Sequence, residues 1–192
     1  MHAPSSQPHP QRTRVLSGLI FAQIMVVASN GVTLSMGSLL AAHLAGASWG
    51  GSAATLTTIG AAIFSIPLAR MVSTYDRRTS LSTGMLLGCV GALLALLGAQ
   101  LGLFPVVILA FLFMGSMSAV NLQARFAATD VASEQTRGRD LSIVVWSTTI
   151  GAIAGPNLFE PSARFSEALG LEQHAGAYLL CLFGQLIAIA VW

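Results

Sequence analysis

The side chains able to do chemistry inside the apolar stretches of this chain are neutral. They are Gln23, Asn30, Thr33, Trp146, Ser147 and Gln185, with Asn121 and Gln123 nearer the end of a stretch. Amides, hydroxyls and an indole donate and accept hydrogen bonds but carry no charge and move no proton at neutral pH. No Asp, Glu, Lys or Arg falls at the centre of a stretch, although an ionisable group there is the usual mark of proton or ion coupling. No His-x-x-Glu, paired carboxylates or Ser–His constellation occurs within the stretches, so no catalytic residue is expected and the chain reads as a non-enzyme. His2, His9, His43 and His174 are scattered without ligand spacing, and Cys89 and Cys181 read as small packing residues, so neither a metal nor a cofactor is expected. The neutral groups Gln23, Asn30, Thr33, Asn121 and Trp146 are the candidates to touch a polar solute. Asn30 could equally serve to bond a neighbouring helix.

The elements that hold these groups follow from composition. Hydrophobic residues make up 54% of the chain and charged ones 8%, against roughly 25% charged in a soluble domain. The apolar residues run in stretches near the roughly 20 residues a helix needs to cross hydrocarbon. Six are marked: Val15–Ala42, Gly50–Ala69, Thr79–Leu101, Phe104–Ala124, Leu141–Phe159 and Gly176–Trp192. Helices satisfy their backbone groups internally, which lets such stretches leave water. The expectation is an all-α polytopic membrane protein with residues 15–192 as one six-helix bundle in the lipid bilayer. Residues 1–14, rich in Pro, Ser and Gln, read as a disordered tail. The first stretch is about twice as long as the apolar core of a secretory signal, so it reads as an uncleaved span.

Every basic residue is an arginine. Eight of the nine fall before the first stretch, between the second and third, or between the fourth and fifth; Arg164 alone falls on the other side. The excess of positive charge faces the cytoplasm, so both ends of a six-span chain are expected there, in a cell membrane. Topology accounts for the net charge of +2, and no nucleic-acid partner is implied. On the same side, Arg77 and Arg78 of one loop and Asp130 and Glu134 of the next carry opposite charges and form a candidate cytoplasmic gate.

The chain also echoes itself. Thr57-Thr58-Ile59-Gly60-Ala61 recurs as Thr148-Thr149-Ile150-Gly151-Ala152, 91 positions on, followed by Pro67-Leu68-Ala69-Arg70 in the first copy and Pro161-Ser162-Ala163-Arg164 in the second. Three spans per unit would invert the second unit relative to the first, giving a 3+3 inverted repeat. In the second copy Gly151 and Gly155 lie on one helical face, where small residues admit a close neighbour. Pro156 lacks an N–H and is expected to bend the helix there.

Gly151-Ala-Ile-Ala-Gly155-Pro156 resembles the fifth-span motif of drug antiporters of the major facilitator superfamily, with Ser142 in place of an earlier glycine. Ala69–Arg78 lies where that family has its signature loop: Arg77 and Arg78 match the terminal basic pair, while Ser73 stands at the Asp position and Ala69 and Asp76 at two glycines. Asn121–Asp130 and Arg139–Trp146 are similar to a branch of bacterial members. The chain therefore resembles the N-terminal half of such a transporter, in a drug-efflux-like branch. The arginine of proton-coupled members has no counterpart near Phe111. The resemblance implies transport of a small organic solute, with export as the expected direction, through a path shared with a C-terminal half or a second six-helix bundle, including a second copy of this chain. The alternative is a non-transporting membrane scaffold whose bare apolar faces bind another protein.

Overall fold

The computed structural model describes residues 10–131, 137–157, 159–168 and 175–191. Within them the chain is helical: α1 (Pro10–Ala45), a short 3-10 turn (Ala47–Trp49), α2 (Ser52–Thr74), α3 (Arg77–Leu101), α4 (Phe104–Met114), α5 (Ser116–Val131), α6 (Arg137–Asn157), α7 (Phe159–Ala168) and α8 (Ala175–Val191). Helix α1 starts at Pro10, so Pro10–Arg14, expected in the tail, belongs to the helix. A proline in the first turn loses no hydrogen bond, because that N–H would have had no helical partner. The tight turn between the third and fourth stretches forms as expected. Gly102 takes a left-handed φ of 64° after α3, the Leu103 N–H donates to Gly98 O at 3.0 Å, and α4 starts with Pro105 in its first turn.

Four stretches among the described residues are long and apolar enough to cross a membrane: Gln23–Ala45, Ala47–Thr74, Arg77–Leu101 and Phe104–Ala124. The fourth is built from α4 and α5, joined at Gly115. Helices α6 and α8 occupy the expected fifth and sixth stretches. The first turn of α6 holds Arg137, Arg139 and Asp140, which lowers its hydropathy, and α8, Ala175–Val191, is apolar but shorter than the other four stretches. At 21 and 17 residues they are about 31 and 25 Å long. The segment after α6, expected as an outer loop, is instead the amphipathic helix α7. It buries Ser162, Ala163 and Ser166 and exposes Glu160, Arg164 and Glu167.

The packing registers give the helices their directions. Along α3, Gly84, Gly88, Gly91 and Gly98 meet Val120, Met117, Met114 and Val107 in turn, so α3 runs antiparallel to α4 and α5. Along α1, Gln23, Thr33 and Gly37 meet Asn121, Met114 and Phe111, again antiparallel. Met25 meets Gly184, and Val32 and Met36 cluster with Ala177 and Cys181, so α8 also opposes α1. Gly151 meets Ile24 and Ala28 while Gly155 meets Ala28 and Gly31, so α6 runs parallel to α1. Helices α1, α3 and α6 thus begin at the same end of the bundle, the end that carries Arg77, Arg78, Arg137 and Arg139.

The echoed glycines also pack alike. Gly60 lies against Leu112 and Gly115, and a Cβ on Gly115 would sit 2.6 Å from Ala61 N. Gly151 lies against α1, where a Cβ would sit 2.7 Å from Ile24 O. Gly115 is the position 91 beyond Ile24, as Gly151 is beyond Gly60, so the two contacts join corresponding pairs of residues. The second part of the echo diverges: Pro67–Arg70 continues α2, whereas Pro161–Arg164 lies in the separate helix α7.

Candidate functional site

Polar side chains gather along α1 where α4, α5 and α8 pack on it. The Gln23 amide Nε2 donates to Asn121 Oδ1 on α5. Gln23 is buried, and its own Oε1 has no partner among the described residues. Two turns further along α1, Ser29 Oγ accepts from Gln185 Nε2 on α8 at 3.1 Å, and Gln185 Oε1 is likewise buried without a described partner. Buried amides cost free energy unless bonded, so the two interhelical bonds fix how α1 meets α5 and α8. Thr33 donates to Ser29 O at 2.8 Å and contacts Met114 Sδ at 3.4 Å. It is buried at the α1–α4 contact.

The expected candidates thus separate. Gln23 and Asn121 are brought together, with Gln23 enclosed and Asn121 half-buried. Asn30 is half-buried on α1. Trp146 stands apart on α6 with 71% of its surface exposed. Gly151 and Gly155 serve the close contact with α1. Pro156 is the second-last residue of α6, and α7 begins at Phe159, so the helix ends beside the proline.

At the arginine-bearing end, Asp76 caps α3 by accepting from the Arg77 N–H at 2.8 Å. The Arg77 guanidinium donates to Gln123 O at 3.3 Å, and Ser80 Oγ donates to Leu68 O at 2.7 Å and lies 2.9 Å from Gln123 Oε1. Gln123 therefore ties α5 to the start of α3, a contact that residue type and spacing did not announce. A cavity of about 270 Å3 lies beside it, lined by Ser65, Ala69, Val72, Arg77, Ala119, Leu122 and Gln123. Arg78 is exposed. Glu134 and the Asp130 side chain lie outside the described residues.

A second cavity, of about 320 Å3, opens between α1 and α6 and is lined by Ile20, Arg139, Ser142, Ile143, Trp146, Ser147 and Ile150. It places one cation, one indole and two hydroxyl-bearing residues on an otherwise apolar wall, and no acidic residue lines it among the described residues.

An all-α bundle whose helices alternate in direction, with arginines at one end and neutral amides between helices, defines a multi-pass membrane protein. The chain belongs to the Major Facilitator Superfamily, whose family model matches residues 16–159. It is similar to two Bacillus subtilis (strain 168) proteins, the uncharacterized MFS-type transporters YddS and YdeG. Identity to YddS is 32%, over 87% of this chain and 38% of the relative, and identity to YdeG is 31%, over 95% and 44%. It is also similar to the riboflavin transporter RfnT of Brucella anthropi, at 28% identity over 73% of this chain and 35% of the relative. The chain thus spans less than half the length of the curated relatives it matches.

Proposed function

We propose that this bundle forms one wall of a transport pathway for a small organic solute, with a second six-helix bundle as the opposite wall, in the same polypeptide or in a partner chain. Six spans cross the cell membrane in this reading, formed by α1, α2, α3, α4 with α5, α6 and α8, with the arginine-bearing end in the cytoplasm, and solute moves outward. The observation that carries it is the packed echo: two three-helix units make the same glycine contact through residues 91 apart, the arrangement from which alternating-access transporters are built. Family membership and the greater length of the relatives support a second bundle.

The exposed faces support the same division. The middle of the outer face of α3 is aliphatic, with Leu86, Val90, Leu93 and Leu97 exposed in turn between Thr83 and Gln100, as suits lipid. The exposed faces of α2 and α6 are mixed. Ile59, Ile63 and Ile66 stand among Thr55, Thr58 and Ala62, and Trp146, Ile150 and Ile153 among Thr149 and Ala152. Small and hydroxyl-bearing residues mark helix faces that meet protein or solute. Asn30, Asn121 and Trp146 would face the solute, with Gln23 holding Asn121 from behind.

Reconstitution into vesicles tests this. Riboflavin is the first solute to try, because RfnT carries that name. Flux is expected from vesicles holding two covalently joined bundles and not from those holding a proven monomer. Equal flux from the monomer would contradict the two-wall pathway. A purified chain that retains a stoichiometric protein partner and shows no solute-dependent stabilisation would favour the scaffold reading.

A further inference from the structure

We infer that the groove between α1 and α6 is a binding site for a small planar organic anion, with the anionic group on Arg139 and the ring on Trp146. The inference rests on the reading of α6 as a solute-facing helix and adds the chemical class of the solute.

Arg139, Ile143, Trp146 and Ile150 are spaced four, three and four apart, so they form one stripe along α6. Arg139 and Trp146 are two turns apart, about 10 Å along the axis, which suits a carboxylate joined to an aromatic ring. Ser142 lies beside the stripe. Its hydroxyl donates to Gly138 O at 2.7 Å, which leaves its lone pairs to accept. Ile20 of α1 and Ile143 and Ile150 of α6 supply the apolar walls. The cavity, about 320 Å3, falls at the lower end of the range for small-molecule sites.

The charge is of the right sign and is available. Arg139 is exposed and has no ion-pair partner among the described residues. A cation in the first turn of α6 works against the helix dipole, so helix stability does not explain it. Membrane orientation explains a positive charge in this region but not its place in a groove beside an exposed indole. A guanidinium recognises a planar carboxylate through two parallel hydrogen bonds, and an indole offers its face to an aromatic ring. The polar elements in the wall, Ser142, Ser147 and the indole, favour a solute over a lipid chain; the lipid-like face of the bundle is the aliphatic stripe on α3.

Trp146 is itself the reporter. With Trp49→Phe and Trp192→Phe, the emission comes from Trp146 alone. Phe at position 49 retains a ring against Phe104, whose centroid lies 5.1 Å away from that of Trp49. In uncharged detergent, 4-nitrobenzoate is expected to quench this emission saturably, and the neutral 4-nitrobenzamide about tenfold more weakly. Arg139→Gln should bring the two probes to equal, weak quenching with unchanged helicity, and Arg139→Lys should fall between. Linear quenching by both probes, or no effect of Arg139→Gln, would overturn the site. So would quenching by phosphatidylglycerol with brominated chains that nitrobenzoate does not displace, which would make the groove a lipid contact. Shielding of Trp146 from both probes in joined bundles, with no saturable component, would make this face a bundle contact. The readout is binding, so absence of flux would remove the transport reading and leave this one standing.

Discussion

Gly60→Leu is expected to prevent the bundle from assembling. The backbones of α2 and α4 touch at Gly60: a Cβ there would overlap the Leu112 carbonyl oxygen, and Leu112 C and Cα lie 2.8 and 3.0 Å from the same point. A flexible side chain could turn away, but these atoms are main chain in the last turn of α4, beside its junction with α5 at Gly115, and move only if α2 and α4 separate. Overpacking a core costs about 1–3 kcal/mol where side chains can adjust, and more where they cannot. The loss here is expected to reach about 3 kcal/mol or above, which is comparable with the whole stability of many domains. Little monodisperse protein should survive extraction in mild detergent. The control is Gly138→Ala. Nothing among the described residues lies within 4 Å of a Cβ at Gly138, and alanine is the better helix former, so extraction and thermal midpoint should hold or rise. Gly151→Leu should resemble Gly60→Leu, because its obstacle is the Ile24 carbonyl at 2.7 Å. If Gly60→Leu extracted as well as Gly138→Ala, the close α2–α4 contact would be wrong.

The next largest effect is expected at the amide pair. Asn121→Leu leaves Gln23, enclosed at 1% exposure, with neither end of its amide bonded to α5. Stranding a buried polar group costs about 1–3 kcal/mol. Gln23→Leu should cost less, because Asn121 is only half-buried and can turn to a wetter surface. The double replacement with leucine should recover part of the Asn121→Leu loss, since no polar group is then stranded. Interhelical bonds in membranes are worth about 0.6–2 kcal/mol, and the coupling should fall in that range. Thermal unfolding of the four proteins in one detergent measures it. Strictly additive losses would mean that the two amides do not bond to each other.

Much of the fold was legible in the sequence because hydrocarbon is an exacting solvent. Helices cover the long apolar stretches, although the fourth is divided at Gly115 and its second part runs on to Val131, and Gly102 with Pro105 marked the turn between α3 and α4. Local rules worked less well where a segment had two readings. Pro10–Arg14 is polar and opens on a proline, but a helix already anchored in an apolar environment extends through such residues at little cost. Pro161–Arg164 reads as the echo of Pro67–Arg70, yet it lies in the separate helix α7, whose buried serine–alanine face becomes visible only when Gly176 of α8 is packed against Ser162 and Ser166.

The site was legible by residue type and not by partner. Gln23 and Asn121 are 98 residues apart, and no pattern along the chain announces that they bond. Thr33 looked equally available, but packing turned it toward Met114. Nothing about Gln123 singled it out until its carbonyl met Arg77. The groove was half visible: Trp146 stood out as an aromatic residue in an apolar stretch, whereas Arg139 was absorbed into the count of cytoplasmic charges.

The central claim is that α6 and α8 cross the membrane as the second and third helices of the second unit, so that the chain is a complete three-plus-three bundle. Arg164, on α7 between them, is where this is most exposed to test. It is the one arginine expected outside, and its ion pair with Glu160 at 2.6 Å is exposed, and such a pair contributes at most about 1 kcal/mol, so replacing it should leave the fold intact. With Cys89 and Cys181 changed to alanine, Arg164→Cys should react with an impermeant maleimide in intact cells, as should Ser48→Cys. Arg78→Cys should react only in inverted membrane vesicles. If Arg164→Cys instead reacted only from the cytoplasmic side, α6 would not cross, and the paired-unit account of this protein would fail.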